Sequence, residues 1–238
     1  PTRISRALTL NSVMINLKIA IQKSGRLNED SLTLLKECGI SINNGKDQLM
    51  AQASNFRLDV LYLRNSDIPQ YVRDGVADIA IIGDNTEKEK KTGIRHVLDL
   101  GFSRCRLSIA VPKNVDFQDI SYLQGKKIAT SYPNSLKDFL TENDIEAEIH
   151  EISGSVEIAP NIGLADAICD LVSSGSTLFK NGLKEVYKIF ESQAILVANS
   201  GLCGEKQELL AQLVFRIKAV LAAKYNKYIL LNAPEKAL

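Results

Sequence analysis

Residues Gly75–Ile79 read GVADI, and residues Gly163–Ala167, 88 positions later, read GLADA. A second pair recurs in the same order, because KIAI at Lys18–Ile21 returns as KIAT at Lys127–Thr130, 109 positions on. One such echo has little weight, but two in the same order indicate an internal repeat. Each echo also pairs an early apolar run with a later one. The chain is therefore predicted to form two similar lobes that carry insertions of different length.

The segments between the echoes alternate short apolar runs with helix-like stretches, as in α/β proteins. Leu17–Ile21 is predicted as a buried strand and Glu29–Cys38 as a helix with one apolar face. Asn28 is expected to cap this helix, and Gly39 lies where it should stop. The loop between them, QKSGR at Gln22–Arg26, then lies at the carboxyl end of a strand, where open α/β sheets bind ligands.

Two apolar runs are expected to connect the lobes. Leu107–Val111 would cross from the first lobe to the second, and Ala194–Ala198 would cross back. The first lobe is accordingly predicted to comprise residues 14–106 and 194–238, and the second lobe residues 107–193. Such an α/β arrangement places a ligand cleft between the lobes.

The composition excludes several classes of protein. The 238 residues include 29 lysines and arginines and 28 acids, for a formal charge of +1, so binding to nucleic acid or anionic lipid is disfavoured. No apolar run approaches the roughly 18 residues that cross a bilayer. The four cysteines show no disulfide or metal spacing and are expected to be reduced, in the cytoplasm. Residues 1–13 contain two arginines and no acid, and are expected to be a leader or a disordered arm.

Three other segments carry weaker signals. His96 and His150 share no short motif, so a zinc site is improbable. The alternating charges of TEKEKKTG, Thr86–Gly93, predict a solvated loop rather than an anion-binding segment. Glu205–Lys224 is predicted as the longest helix, and Tyr228–Leu231 as a final short strand.

The strongest chemical signal is ADAICDLVSSGSTL at Ala165–Leu178, where a buried strand runs into hydroxyl side chains and one glycine. Glycine lets the backbone approach an anion, successive amides can point into one concavity, and hydroxyls can donate hydrogen bonds. An ordinary turn has the same composition, but Asp170, just before the loop, can accept hydrogen bonds from sugar hydroxyls. We therefore predict a phosphate-binding loop made of Ser173, Ser174, Gly175, Ser176 and Thr177.

Cations follow two strands of the predicted first lobe. Lys23, Arg26 and Arg64 can bind a polyphosphate through charge-assisted hydrogen bonds, although plain surface charge is the alternative. Gly154 and Ser155 precede a predicted helix near residues 156–161 whose start can take an anion, and simple N-capping by Ser155 is the alternative there. The sequence contains no serine hydrolase elbow and no Walker loop. Catalysis would thus rest on positioning and charge.

Together these segments resemble the ATP phosphoribosyltransferase family over Leu17–Leu238. The stretches that carry the resemblance are IAIQKSGRL, GVADIAIIG, GFSRCRLSIAVP, IATSYP, GSVEIAP and LADAICDLVSSGSTL. The resemblance implies two α/β lobes like those of type II periplasmic binding proteins, with the active-site cleft between them. It also implies the catalytic portion of a long-form member, because residues 227–238 resemble the point where such members continue into a regulatory domain.

The resemblance implies a specific reaction, the first step of histidine biosynthesis. The N1 atom of ATP adenine would attack the anomeric carbon of phosphoribosyl pyrophosphate and release pyrophosphate, with Mg²⁺ present. The loop Ser173–Thr177 would hold the 5-phosphate, Asp170 the ribose hydroxyls, and the three cations the departing pyrophosphate. Glu157 and Asp166 would orient substrate or metal.

Several expectations stay open at the level of sequence. The Mg²⁺ ligands are unknown, and the ion would be held mainly by substrate phosphates. A homo-oligomer, with a dimer favoured, is expected from the resemblance. The alternative function is a non-catalytic two-lobed binding protein for a phosphorylated metabolite.

Overall fold

A computed structural model describes residues 15–43 and 48–224; the predicted leader and the predicted strand Tyr228–Leu231 lie outside these ranges. The strands are β1 (Leu17–Gln22), β2 (Met50–Gln52), β3 (Leu58–Leu63), β4 (Ile79–Gly83), β5 (Arg95–Asp99), β6 (Cys105–Pro112), β7 (Lys127–Thr130), β8 (Glu148–Glu151), β9 (Ala167–Val172), β10 (Leu183–Ser192) and β11 (Ala194–Ala198). The helices are α1 (Arg26–Glu37), α2 (Ile68–Arg73), α3 (Asp84–Lys90), α4 (Pro133–Glu142), α5 (Ser176–Lys180) and α6 (Gly204–Lys224). Short 3₁₀ turns lie at Ile120–Leu123, Val156–Ile158 and Pro160–Ile162.

The strands form two separate sheets, which confirms the two-lobed α/β prediction. The first lobe contains a six-stranded sheet of order β2-β3-β1-β4-β11-β5, and the second a five-stranded sheet of order β10-β6-β9-β7-β8. In the first sheet β1, β3 and β4 are parallel, and in the second β7, β8 and β9 are parallel. The loops that follow these strands therefore gather at the carboxyl edge of each sheet, where α/β proteins bind ligands.

The sequence echoes correspond to a repeated hydrogen-bond pattern. In the first lobe the Asp78 carboxylate accepts from the Lys18 backbone N–H at 2.8 Å, and the Asp78 N–H donates to the Lys18 carbonyl at 2.9 Å. In the second lobe Asp166 and Lys127 make the same two bonds at 2.9 and 2.8 Å. Each aspartate thus joins the starts of two neighbouring parallel strands. The internal repeat is structural, and these two acids belong to it.

The central strands are covered on both faces, which explains their continuous apolar runs. In β4, Ile79 and Ile81 pack into one core with α1 and α6, whereas Ala80 and Ile82 pack into another with α2. The alternation follows the two-residue period of a strand. The second sheet is covered in the same way, with one core against α4 and another against α5.

The two runs expected to cross between the lobes do not cross. Leu107–Val111 lies within β6, which pairs only with β9 and β10 of the second sheet among the described strands. Ala194–Ala198 is β11, which pairs with β4 and β5 of the first sheet. Each run is antiparallel to a neighbouring strand on both sides, so its backbone hydrogen bonds are made within one sheet. The passages lie instead at residues 100–104 and at Gln193.

The capping prediction for the first helix is wrong. Helix α1 begins at Arg26, and its N-cap is Gly25 rather than Asn28. The Asn28 side-chain amide donates to the Gln22 carbonyl at 2.6 Å, so it ties the helix back to the end of β1. The first turn of α1 therefore reaches closer to the cleft than the sequence indicates.

The solvated loop predicted for Thr86–Gly93 is also wrong for most of its length. Residues 84–90 form α3, in which Asn85, Thr86 and Glu89 are buried. Lys88 and Lys90 are exposed and Asp84 and Glu87 are half-buried, so the alternating charges belong to a helix with one buried side. Helix α3 packs against α4 of the second lobe.

Candidate functional site

The predicted phosphate loop lines a cavity of about 270 Å³ in the second lobe. Glu157, Asp170 and residues 171–178 form its wall. The hydroxyl residues Ser173, Ser174, Ser176 and Thr177 are exposed to it. The structure thus brings together the loop, the acid before it and Glu157.

The loop turns where β9 ends and α5 begins. Gly175 has a φ of +76° and precedes the first residue of α5, a left-handed conformation that favours glycine. The Ser174 hydroxyl lies 3.1 Å from the Ser176 hydroxyl and 3.4 Å from its amide. At the base of the loop the Arg106 guanidinium donates to the Ser173 carbonyl at 3.1 Å. This turn leaves four exposed hydroxyl residues lining a small polar cavity.

Arg106 is itself held firmly. Its Nε and Nη2 atoms donate to the two carboxylate oxygens of Glu185, and Ser108 Oγ donates to Glu185 Oε1 at 2.8 Å. Hydrogen bonding to Arg106 lowers the pKa of Glu185, so this acid stays charged. A paired, two-point guanidinium is a rigid support. Arg106 thereby braces the phosphate loop from the neighbouring strand β6.

Asp170 has unusual electrostatics. Burial raises its pKa from an ordinary 3.8 to about 6, a backbone hydrogen bond from Leu171 opposes the rise, and the charge of Glu157 adds to it. The Leu171 N–H donates to Asp170 Oδ1 at 2.8 Å. A desolvated carboxylate with raised pKa in a cleft is a mark of a functional site. Its charged form would be stabilised by a ligand that supplies donors or positive charge.

Gly154 and Ser155 follow β8, at the same carboxyl edge as the phosphate loop. Instead of one helix, two short 3₁₀ turns follow, because Pro160 starts the second. Ser155 has a φ of +50° and makes no side-chain capping bond, so the simple N-cap alternative is not what the structure shows. The Gly154 N–H is 3.4 Å from the Ser131 hydroxyl.

Asp166 lies at the opposite edge of the sheet from this cavity. It precedes β9 while the loop follows it, and seven residues of extended chain span about 23 Å at roughly 3.3 Å each. Its carboxylate is engaged with Lys127, as in the repeat described above. The expected substrate or metal role of Asp166 is therefore corrected to a structural one.

The predicted cations lie at the carboxyl edge of the first sheet. The Lys23 N–H donates to the Leu63 carbonyl at 2.8 Å, so Lys23 and Arg64 leave neighbouring strands side by side. Both are exposed, and neither makes an ion pair within residues 15–43 and 48–224. Arg26 begins α1 with its side chain 72% exposed and Nε 3.7 Å from Asp30. Such a loose surface pair costs little to break.

A second, larger cavity of about 640 Å³ lies where the two sheets meet. Its walls come from both lobes and from the passages between them: Asp84, Asp99, Arg104, Cys105, Arg106, Ser173, Glu191, Ser192, Gln193 and Ile195. Ser173 lines both cavities, so the phosphate loop opens toward the junction of the lobes. The sequence reasoning did not single out Arg104 and Arg106, which line this cavity, although both lie in the stretch GFSRCRLSIAVP.

The described residues contain no cluster of three or more His, Cys, Asp or Glu side chains able to hold a metal ion. Glu157 and Asp170 are the acids of the phosphate-loop cavity, and their mutual repulsion contributes to the raised pKa of Asp170. Magnesium in proteins is often held by one or two carboxylates together with substrate phosphates. These residues fit that mode and do not fit a cage made by protein alone.

The family model described as HisG, ATP phosphoribosyltransferase, matches residues 64–219 of this chain. The chain belongs to this family. An ATP phosphoribosyltransferase of Cytophaga hutchinsonii is 58% identical over 222 residues, which cover 93% of this chain and 78% of the relative. The one from Phocaeicola vulgatus is 53% identical over the same shares. This chain is accordingly an enzyme of the first step of histidine biosynthesis, which confirms the function predicted from the motifs.

Solved structures agree with the two-lobed fold. The ATP phosphoribosyl transferase (HisG:HisZ) complex of Thermotoga maritima contains a chain that is 29% identical, with a TM-score of 0.75 over 87% of this chain and 99% of that one. The substrate-binding protein of an amino acid ABC transporter matches with a TM-score of 0.58 at 12% identity, over 87% and 94%. The latter likeness shows the fold alone. The alternative of a non-catalytic binding protein therefore has no support.

Proposed function

We propose that this ATP phosphoribosyltransferase binds phosphoribosyl pyrophosphate in the second lobe and faces its pyrophosphate toward the cations of the first lobe. The proposal rests on one observation: Asp170, Glu157 and the loop Ser173–Thr177 line the same cavity. Its exposed hydroxyls and amides suit a phosphate, and its half-buried acid suits the hydroxyls of an attached sugar. Gly154 and Ser155, at the same sheet edge, would border the bound substrate.

In this reaction the protein mainly has to position the two substrates and to stabilise the charge that develops on them. Adenine N1 carries a lone pair, so its attack on the anomeric carbon needs no general base. The sugar becomes cationic as the bond to pyrophosphate breaks, and a carboxylate at Asp170 would stabilise that charge. Negative charge builds on the departing pyrophosphate, where Lys23, Arg26 and Arg64 would neutralise it. Holding both substrates in line supplies the rest of the acceleration.

Members of this family require a divalent metal ion, and we propose that it is Mg²⁺. Glu157 and Asp170 would hold the ion together with the phosphates and the ribose hydroxyls of the substrate. Bound there, the ion would offset the charge of the polyphosphate. It would also relieve the repulsion between the two acids.

The reaction is tested by mixing the protein with ATP, phosphoribosyl pyrophosphate and Mg²⁺, with pyrophosphatase present to remove pyrophosphate. We expect the absorbance of N1-phosphoribosyl-ATP to rise, and adenine in place of ATP to give no product. Absence of product with ATP would contradict the proposal. Product from adenine would point to a base phosphoribosyltransferase instead.

Removing a first-lobe cation should slow turnover more than it weakens binding. We expect Lys23→Ala and Arg64→Ala to lower kcat about tenfold or more, because pyrophosphate gains charge only as its bond breaks. Lys218→Ala, which removes an exposed lysine from α6 away from the cleft, is the control. A rise in KM with unchanged kcat would show uniform binding and would contradict a role in the transition state.

The remaining expectations concern the assembly and its location. We propose a homo-oligomer, with a dimer as the simplest form, and a cytoplasmic location. Within residues 15–43 and 48–224 no helix combines the length and the apolar character needed to cross a bilayer. Sedimentation of the purified chain would test the dimer, and a monomer at assay concentration would contradict it.

A further inference from the structure

Helix α3 presents one buried polar face to the second lobe. Asn85 and Glu89 are four residues apart, so their side chains lie one turn apart on the same face. Asn85 is 4% exposed and Glu89 is 6% exposed. Burying an amide and a carboxyl group is costly unless both are fully hydrogen-bonded. Their partners therefore show what this helix is built to hold.

Glu89 caps a helix that belongs to the other lobe. Its Oε1 accepts from the Asn134 N–H at 2.9 Å, and its Oε2 accepts from the Ser135 N–H at 2.9 Å and the Ser135 hydroxyl at 2.8 Å. These are first-turn amides of α4, whose own N-cap, Tyr132, makes no side-chain capping bond. A carboxylate at a helix N-terminus satisfies free N–H groups and interacts favourably with the helix dipole. The first lobe thus supplies the cap that α4 lacks.

Asn85 attaches the other end of α3 next to the passage between the lobes. Its N–H donates to the Ser192 hydroxyl at 2.9 Å, and that hydroxyl donates to Asn85 Oδ1 at 2.9 Å. Ser192 ends β10, directly before the passage at Gln193. A Cβ on the residue before α3 would overlap Asn85 Oδ1, and Gly83 avoids this.

We infer that Glu89 is a positioning residue, which together with Asn85 fixes the angle between the lobes. One attachment beside the passage would leave the second lobe free to rotate about it. A second attachment one helical turn away restricts that rotation: three hydrogen bonds to the buried Glu89 carboxylate, beside the Asn134 side-chain bond to the Glu89 carbonyl and the exposed Lys91–Asp138 pair. The inference rests on the proposed division of the substrates between the lobes. Given that division, Glu89 sets the alignment of the anomeric carbon with the first-lobe cations.

The test compares Glu89→Gln with a matched variant that affects one lobe only. Gln presents an NH₂ group where a carboxylate oxygen accepted, so an N–H at the start of α4 loses its acceptor. Asp78→Asn is the control, since Asp78 is 5% exposed and its carboxylate bonds only first-lobe partners among the described residues, Lys18 and Lys206. Both variants should unfold at lower temperature than the wild type.

Only Glu89→Gln should disturb the alignment of the anomeric carbon with the first-lobe cations. We expect its kcat to fall at least tenfold, while its Kd for phosphoribosyl pyrophosphate alone, measured by calorimetry, stays within threefold of wild type. Small-angle X-ray scattering of the ligand-free variant should give a larger radius of gyration, with no change for Asp78→Asn. Wild-type kcat in Glu89→Gln, or a Kd that weakens in step with kcat, would overturn the inference. An unchanged radius of gyration would overturn it as well.

Ser135→Ala provides a second variant if Glu89→Gln does not fold. It removes one donor to Glu89 Oε2 and should lower kcat by a smaller factor, again without changing the Kd for phosphoribosyl pyrophosphate. The double variant should lose no more kcat than Glu89→Gln, because both act through one contact. If the kcat losses of the two single variants multiply in the double variant, the shared role is contradicted. A wild-type protein that makes no product would refute the proposed function, and the scattering comparison would still test the positioning of the lobes.

Discussion

Gly175→Val is expected to weaken the binding of phosphoribosyl pyrophosphate at least tenfold. Gly175 has a φ of +76°, a region in which a β-branched residue is strongly disfavoured. A Cβ there would meet only Val172 Cγ1, at 3.9 Å, so the substitution acts through backbone strain rather than a steric clash. The loop would relax and turn its amides away from the phosphate. Tenfold corresponds to about 1.4 kcal/mol, which is within the cost of such strain.

Gly125→Val controls for strain without a binding site. Gly125 has a φ of +69°, and a Cβ added there would meet no atom within 4 Å; it lies before β7, at the edge of the sheet away from the phosphate loop. We expect it to destabilise the fold to a similar extent and to leave the calorimetric Kd unchanged. Equal affinity of Gly175→Val and wild type would show that the loop does not hold the 5-phosphate.

Asp170→Asn is expected to lower kcat about 100-fold and, at neutral pH, to raise the melting temperature or leave it unchanged. The loss follows because a neutral amide cannot stabilise a cationic sugar, and removing one preorganised electrostatic group typically costs 10²–10³ in rate. The unchanged or higher melting temperature of the variant follows because the pKa of Asp170 in the folded protein, about 6, lies above its ordinary 3.8. The folded state then binds more protons than the unfolded state between these pH values, so this acid lowers the unfolding free energy as pH rises through them.

The same pKa predicts a pH profile. In the free wild-type enzyme kcat/KM should decline as pH falls below about 6, because Asp170 becomes protonated, and Asp170→Asn should lack this limb. Thermal unfolding and initial rates over pH 5 to 8 measure both effects. A variant that loses both activity and stability at neutral pH would indicate a structural role. A variant that retains kcat would remove Asp170 from the site.

The repeat and the phosphate loop could be predicted because both are local in sequence. The two echoes together mark β1 and β4 in the first sheet and β7 and β9 in the second, which are hydrogen-bonded neighbours in each sheet, and the loop residues are contiguous with Asp170. The strand predicted at Leu17–Ile21 differs from β1 by one residue, because its apolar run ends at the polar loop that begins with Gln22. Family resemblance then supplied roles that spacing alone does not indicate.

Most of the incorrect predictions concern residues whose structural role depends on contacts outside their own segment. The predicted role of Asp166 failed because its partner Lys127 is brought to it by the fold, and Asn28 does not cap α1 because the helix already begins after Gly25. Helix α3 was predicted as a loop because its three buried polar residues bond partners distant in sequence, Asn85 with Ser192, Thr86 with Asn65 and Glu89 with the start of α4. Strand β10 was missed because its charged side chains, among them Glu185, are paired across the sheet with residues such as Arg106.

The most direct test of the central claim is a crystal structure with phosphoribosyl pyrophosphate, Mg²⁺ and 1-deaza-ATP, an analogue that lacks the attacking nitrogen. We predict the 5-phosphate against the amides of Ser173–Thr177, the ribose hydroxyls at Asp170, and the pyrophosphate facing Lys23 and Arg64. The larger cavity between the sheets offers a rival position beside Arg104 and Arg106. A 5-phosphate bound there, with the loop empty, would contradict the proposed site.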